Sequence, residues 1–123
     1  MDLIEENSTG RYVIHHYTTH SVTIDQTEFH HSLIVTSDKI ITDWRPQKLS
    51  ELTVHDIEAL VVLSPDLVLL GAGEKQQFVD YAVLQPLFQK RIGVEVMTVA
   101  AACRTFNVVS AENRPVALGL LLG

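Results

Sequence analysis

The sequence predicts an α/β fold, and three observations carry that expectation. The second half of the chain alternates in the order helix, strand, helix, strand, helix, strand, a pattern that places helices on a sheet. Residues 67–70 are continuously apolar, as in a strand buried on both faces. Residues 11–42 instead carry short runs of β-branched and aromatic residues, which predict an antiparallel β extension ahead of the α/β part.

Taken in order, residues 1–10 end in Asn7, Ser8, Thr9 and Gly10 and read as a loose lead-in. From Arg11, the residues Tyr12, Ile14 and His16 alternate with Val13, His15 and Tyr17, as a strand requires. Residues 21–24 read as a second short strand broken by Asp25 and Gln26, and 31–36 as a third. Ser37 and Asp38 suit a hairpin turn into residues 39–42. Trp44, Arg45 and Pro46 close this region. Thr53 then precedes an apolar pattern at Val54, Ile57, Leu60, Val61 and Leu63, with Asp56 placed as the return partner of a capping box. Ser64, Pro65 and Asp66 stop that helix. The buried strand at 67–70 runs into Gly71, Ala72 and Gly73. Residues 84–91 read as a helix with Pro86 near its first turn and Gly93 near its end. Strand 94–97, helix 99–109 and a last strand ending at Leu122 complete the chain. No repeat, linker or low-complexity tract divides it, so residues 1–123 are expected to form a single domain.

Composition narrows the functional classes. Apolar residues make up 46% of the chain and charged residues 20%, an ordinary mixture for a chain that builds one core. No apolar run approaches the roughly 20 residues of a membrane helix, so a membrane-embedded protein is not expected. The acidic start, with Asp2, Glu5 and Glu6, lacks the basic flank and apolar segment of a secretory signal, and the cytoplasm of a bacterium-like cell is the expected compartment. The net charge of −6, with scattered basic residues, argues against a nucleic-acid partner, because such binding needs many cations on phosphates. Cys103 is the single cysteine, which excludes an internal disulfide and a thiolate metal cluster within one chain.

The residues 93–107 concentrate the chemistry. Thr98 offers a hydroxyl where a helix begins, Ala100, Ala101 and Ala102 let that helix lie close to a sheet, and Arg104 projects from its second turn. Ligands of open α/β sheets collect at the carboxyl ends of strands. Gly71, Gly73, Thr98 and Arg104 therefore form a candidate ligand site, with the helix start and the guanidinium favouring an anion. The other reading is that the glycines only permit a tight turn and close approach. Glu95, on a strand expected to be central, would then pair with Arg104 or Arg114 and lock strand to helix. Cys103 beside Arg104 suits a lowered pKa, but a nucleophile needs a base, and all six histidines lie between residues 15 and 55. His15, His16, His20, His30 and His31 lie on neighbouring expected strands, where adjacent members point to opposite faces, so no metal site is expected. Trp44 and Arg45 offer a partner surface, the alternative being a Trp that covers the end of a core. The histidine-bearing strands and Leu120, Leu121 and Leu122 are each suited to self-association. No catalytic pair and no cofactor signature is present.

One resemblance covers most of the chain, roughly residues 12–122. It rests on Gly71-Ala72-Gly73 after an apolar strand, Gln77-Phe78, Gly93 to Met97, Ala100-Ala101, Arg104-Thr105-Phe106-Asn107, Glu112 with Arg114, and the closing Val116-Ala117-Leu118, with Trp44 after the β region. On these residues the chain resembles a small domain family of uncertain molecular function. Its members include a mitochondrial respiratory complex I assembly factor and an adipogenesis-associated protein of animals. Ala72 stands where the family usually has Thr, Phe106 where it usually has Tyr, and Val79-Asp80 where it usually carries prolines. The resemblance implies a three-layer α/β/α sandwich around a mixed sheet, with an added N-terminal antiparallel β layer. It also implies a non-catalytic interaction or assembly module whose protein partner is a subunit of a respiratory or membrane complex. The residues alone leave open an alternative, a small-anion sensor or enzyme using the glycine loop and Arg104.

Overall fold

The computed structural model describes residues 4–6 and 10–123. Among the described residues, nine strands and three α-helices follow in the order β1 (Ile4–Glu6), β2 (Ile14–Tyr17), β3 (Val22–Ile24), β4 (Thr27–Phe29), β5 (Leu33–Val35), β6 (Lys39–Ile41), α1 (Val54–Val61), β7 (Leu67–Ala72), α2 (Gln85–Gln89), β8 (Gly93–Met97), α3 (Val99–Ala111) and β9 (Val116–Leu121). A six-stranded mixed sheet runs β1-β6-β5-β9-β7-β8, and β2, β3 and β4 form a separate antiparallel sheet. β7 is parallel to both β8 and β9, whereas β5 is antiparallel to β9.

Alternation along β7 and β9 builds the two cores. Leu67, Leu69, Val116, Leu118 and Leu120 face one side, where α3 and the small sheet cover them with Phe106, Ala102, Val22 and Ile24. Val68, Leu70, Ala117 and Leu121 face the other, under Ile57 and Leu60 of α1 and Leu87 of α2. Every residue of β7 and β9 is buried, as both-face coverage demands. The sandwich with an added β layer is therefore the architecture observed.

The departures from expectation have physical causes. The antiparallel region is not one meander: β5 and β6 join the large sheet and β2–β4 stack on α3. Ile4–Glu6 are not lead-in but pair with β6, while residues 1–3 and 7–9 of that expected lead-in lie outside the described residues. Asp25 takes a positive φ of 52° and turns β3 into β4, a strand whose exposed Thr27 and Glu28 give no apolar signal. The helix expected over 84–91 is shorter: a 3₁₀ turn at Tyr81–Leu84 leads into α2, which Arg91 ends with a φ of 58°. The Ile92 N–H then donates to the Leu87 carbonyl, so Arg91 supplies the left-handed stop expected of Gly93.

Candidate functional site

The α3 N-terminus and the turn after β7 meet as the residue pattern expects. Thr98 caps α3 by accepting from the Ala101 N–H at 3.1 Å. The Val99 N–H donates to the Gly73 carbonyl at 3.0 Å, tying the helix start to the glycine turn. Gly73 has a φ of 65°, which only glycine adopts without strain. Gly71 lies beneath: a Cβ there would stand 2.7 Å from the Ala102 Cβ and 2.9 Å from the Leu120 Cδ2. The helix thus rests on the sheet through Gly71 and Ala102, and Gly71 has no surface to offer a ligand.

A cleft of about 300 Å³ opens above this junction, between Gly73, Glu74, Thr98 and Ala100 and the β2–β3 turn at Tyr17, Thr18 and Thr19. Arg104 does not line the cleft; it is exposed and donates at 3.4 Å to the hydroxyl of Tyr17, which does. Two features oppose an anion here. The first-turn donors of Val99 and Ala101 are already used inside the fold, and the Glu74 carboxylate shares the cleft. Because Arg104 is exposed and its one polar contact is long, Arg104→Ala is expected to change stability by less than about 0.5 kcal/mol in denaturant unfolding.

The neighbouring motif residue Asn107 has a firmer task. Its Oδ1 accepts from the Ile14 N–H at 2.9 Å and its Nδ2 donates to the Ile14 carbonyl at 2.8 Å. A side-chain amide thereby continues β2 and holds the small sheet on α3. The spacing of 93 residues hides this pairing from any local reading of the sequence.

Other expected site residues are corrected. β8 is the terminal strand of its sheet, not a central one, and Glu95 is exposed on it. Among the described residues no ion pair joins Glu95 to Arg104 or Arg114. Burial pushes the Cys103 thiol up to about 12, and the nearby Arg104 charge only partly opposes this, so the lowering that Arg104 alone would favour does not occur. A register shift between Ile14 and His16 interrupts the pairing of β2, and His15 and His16 are both exposed. Among the described residues no three His, Cys, Asp or Glu side chains cluster as metal ligands would.

Trp44 is not a surface residue. It is 4% exposed, its ring packs against the backbone of Gly119, and its indole N–H donates to the Asp56 carbonyl at 3.3 Å. Arg45 is exposed but engaged: Nε donates to Asp56 Oδ1 at 3.2 Å, Nη2 to Asp56 Oδ2 at 2.6 Å, and Nη2 also to the Glu51 carbonyl. Asp56 completes the capping box with Thr53. Burial alone would raise its carboxyl, but the hydrogen bonds from Arg45 and Thr53 outweigh it and hold the group below its ordinary value. The Arg45–Asp56 pair is a fold-locking corner.

The exposed feature that the residue pattern did not single out lies at β8. Phe78 is 92% exposed and Tyr81 73% exposed, and Phe88 is also exposed. Tyr81 and Phe88 meet edge to face with ring centres 5.9 Å apart. With Val79, Val94 and Val96 these aromatics line a groove of about 260 Å³ beside the open strand. Three large apolar side chains left in water on one face mark an interaction surface more than a packing accident. The signal in the sequence was faint, because nothing local distinguishes an aromatic that packs from one that does not.

Comparison with known proteins fits this architecture. A Xanthomonas campestris protein solved by NMR matches with a TM-score of 0.84 at 33% identity, covering 100% of this chain and 93% of that one. The NADH dehydrogenase (ubiquinone) 1 alpha subcomplex assembly factor 3 of Danio rerio is 31% identical over 83 residues, 66% of this chain and 48% of that protein. A 13 kDa major membrane protein of Francisella tularensis is 22% identical over 117 residues, 94% of this chain and 95% of that protein. The chain spans about half the length of the assembly factors it matches. Among the described residues no helix is long and apolar enough to cross a membrane. A family model described as a protein of unknown function (DUF498/DUF598) matches residues 14–121, and the chain belongs to that family.

Proposed function

We propose that the chain is a non-catalytic protein-interaction module of the assembly-factor type, acting in the cytoplasm on a subunit of a respiratory or other membrane complex. The exposed aromatic groove of Phe78, Tyr81 and Phe88 carries this reading. Aromatic side chains are the residues that most often anchor protein interfaces, and exposing three of them has a cost that a partner would remove. The names of the assembly-factor relatives point the same way. The cleft at Gly73 and Thr98 supports an anion-using enzyme or sensor less well, since the Val99 and Ala101 N–H groups of its helix start are already engaged and it holds Glu74.

The test is site-specific photo-crosslinking in cells, with a benzophenone side chain placed at position 78 and, separately, at the exposed positions Val62 and Val108. The expected result is a discrete crosslinked product from position 78 that contains a complex subunit, with none from the other two. Equal labelling from all three positions, or none from position 78, would contradict the proposal.

A further inference from the structure

We infer that the partner docks on the outer edge of β8 as an added strand, an extended segment that alternates apolar and basic side chains. This rests on reading the aromatic groove as the partner surface, and it names the chemistry of what binds there.

The argument begins with the main chain. β8 pairs with β7 on one side only, and among the described residues no strand pairs with its other edge. The Gln76 side-chain amide donates to the Val96 carbonyl at 2.8 Å. An amide N–H therefore already occupies the position that a neighbouring strand's N–H would take, held by a flexible, exposed side chain. An incoming backbone can displace it without leaving the carbonyl unpaired.

The two faces of the edge then specify the incoming side chains. On the α2 face, Val94 and Val96 open into the groove walled by Phe78, Tyr81 and Phe88, whose volume suits one large apolar side chain. On the α3 face, Glu95 is exposed and has no cationic partner among the described residues. A strand laid along β8 presents alternate residues to the two faces, so an apolar anchor in the groove places its neighbours on the Glu95 side. A Lys or Arg there meets the carboxylate across the strand pair. A second copy of this chain is the poorer occupant: two-fold antiparallel pairing of β8 about its middle residue sets Glu95 directly against Glu95.

The experiment uses the ¹⁵N-labelled full chain and an acetylated heptapeptide, Val-Lys-Phe-Lys-Val-Lys-Thr. Saturable shifts at the Gly93–Met97 amides and at the Gln76 side-chain amide are expected. Glu95→Lys should weaken this peptide at least tenfold and should restore binding to the version with Glu in place of Lys. Alternate N-methylation of the peptide backbone should abolish binding. Equal affinity for the Lys and Glu peptides, shifts confined to residues away from β8, or no binding at millimolar peptide would overturn the inference; the amide spectrum of Glu95→Lys shows separately that the variant is folded. A discrete crosslink from position 78 alongside a silent peptide would remove strand addition while leaving the interaction module standing.

Discussion

Asp56→Ala is expected to lower stability by about 3 kcal/mol and the melting temperature by about 10 °C. The carboxylate is 5% exposed and serves three tasks at once. It accepts from the Thr53 N–H at 2.9 Å, from the Thr53 hydroxyl at 3.0 Å, and from Arg45 through both oxygens. Removing it leaves the Thr53 N–H and hydroxyl without their acceptor, while the exposed Arg45 guanidinium turns to water. The Thr53 cap survives, because the residue-56 N–H still donates to its hydroxyl; most of the loss is the two hydrogen bonds from Thr53 to a buried charged acceptor, about 1.5 kcal/mol each. Arg45→Ala should cost less, because Thr53 still holds the carboxylate and the guanidinium side is open to water. The pH dependence has a definite sign. The folded-state pKa of Asp56 is lowered, so its contribution is complete above the unfolded value of about 3.9 and is lost as pH falls through the folded value. The stability gap between the native chain and Asp56→Asn, measured by urea unfolding, should therefore narrow below about pH 4. A gap unchanged down to pH 2 would show that the carboxylate charge contributes nothing.

The second large effect concerns the seat of α3. Gly71→Ala is expected to destabilise by about 2 kcal/mol, although an alanine in a strand ordinarily improves on glycine. The added Cβ would lie 2.7 Å from the Ala102 Cβ, with the Val99 Cα at 3.5 Å behind it, so the helix itself must move. Ala102→Gly removes the nearer atom at a helix-propensity cost of about 1 kcal/mol. In the double variant the two losses should be less than additive by at least about 1 kcal/mol, read from a denaturant cycle. Strict additivity would mean that α3 does not rest on Gly71. The same cycle separates a packing role for Gly71 from a ligand role, because a ligand role would leave apo stability untouched.

Much of the frame was legible from local chemistry. Thr53 with Asp56 announced α1, Thr98 announced α3, and the unbroken apolar run after Asp66 announced a strand buried on both sides. Each of these signals acts within four residues, where side chain and backbone report directly on each other. What stayed hidden was set by pairings far apart in the chain. Val94 and Val96 look as buried as Val68 and Leu70, yet they lie on the rim, because strand order is decided by β9 inserting between β5 and β7. Trp44 reads equally well as a hot spot or a core residue until Gly119, 75 positions later, turns out to leave room for its ring. The pairing of β2 is interrupted by a register shift that no residue type announces.

The candidate site divides in the same way. The junction of the glycine turn with the helix start was readable, since both ends carry their own turn and cap chemistry. The engagement of the Val99 N–H was not, because its acceptor is a carbonyl from a different element. The aromatic groove left only a faint trace: Phe78, Tyr81 and Phe88 are set apart from the buried Phe106 by what the fold fails to place over them.

Hydroxyl-radical footprinting of the native chain, free and in its non-covalent complex with the subunit that the crosslink identifies, tests the central claim, that the partner sits at β8 and not at the strand-end cleft. Protection of Phe78, Tyr81 and Phe88, with Tyr17 as reactive as before, is the expected pattern. Protection of Tyr17 with the three groove aromatics still fully reactive would contradict it.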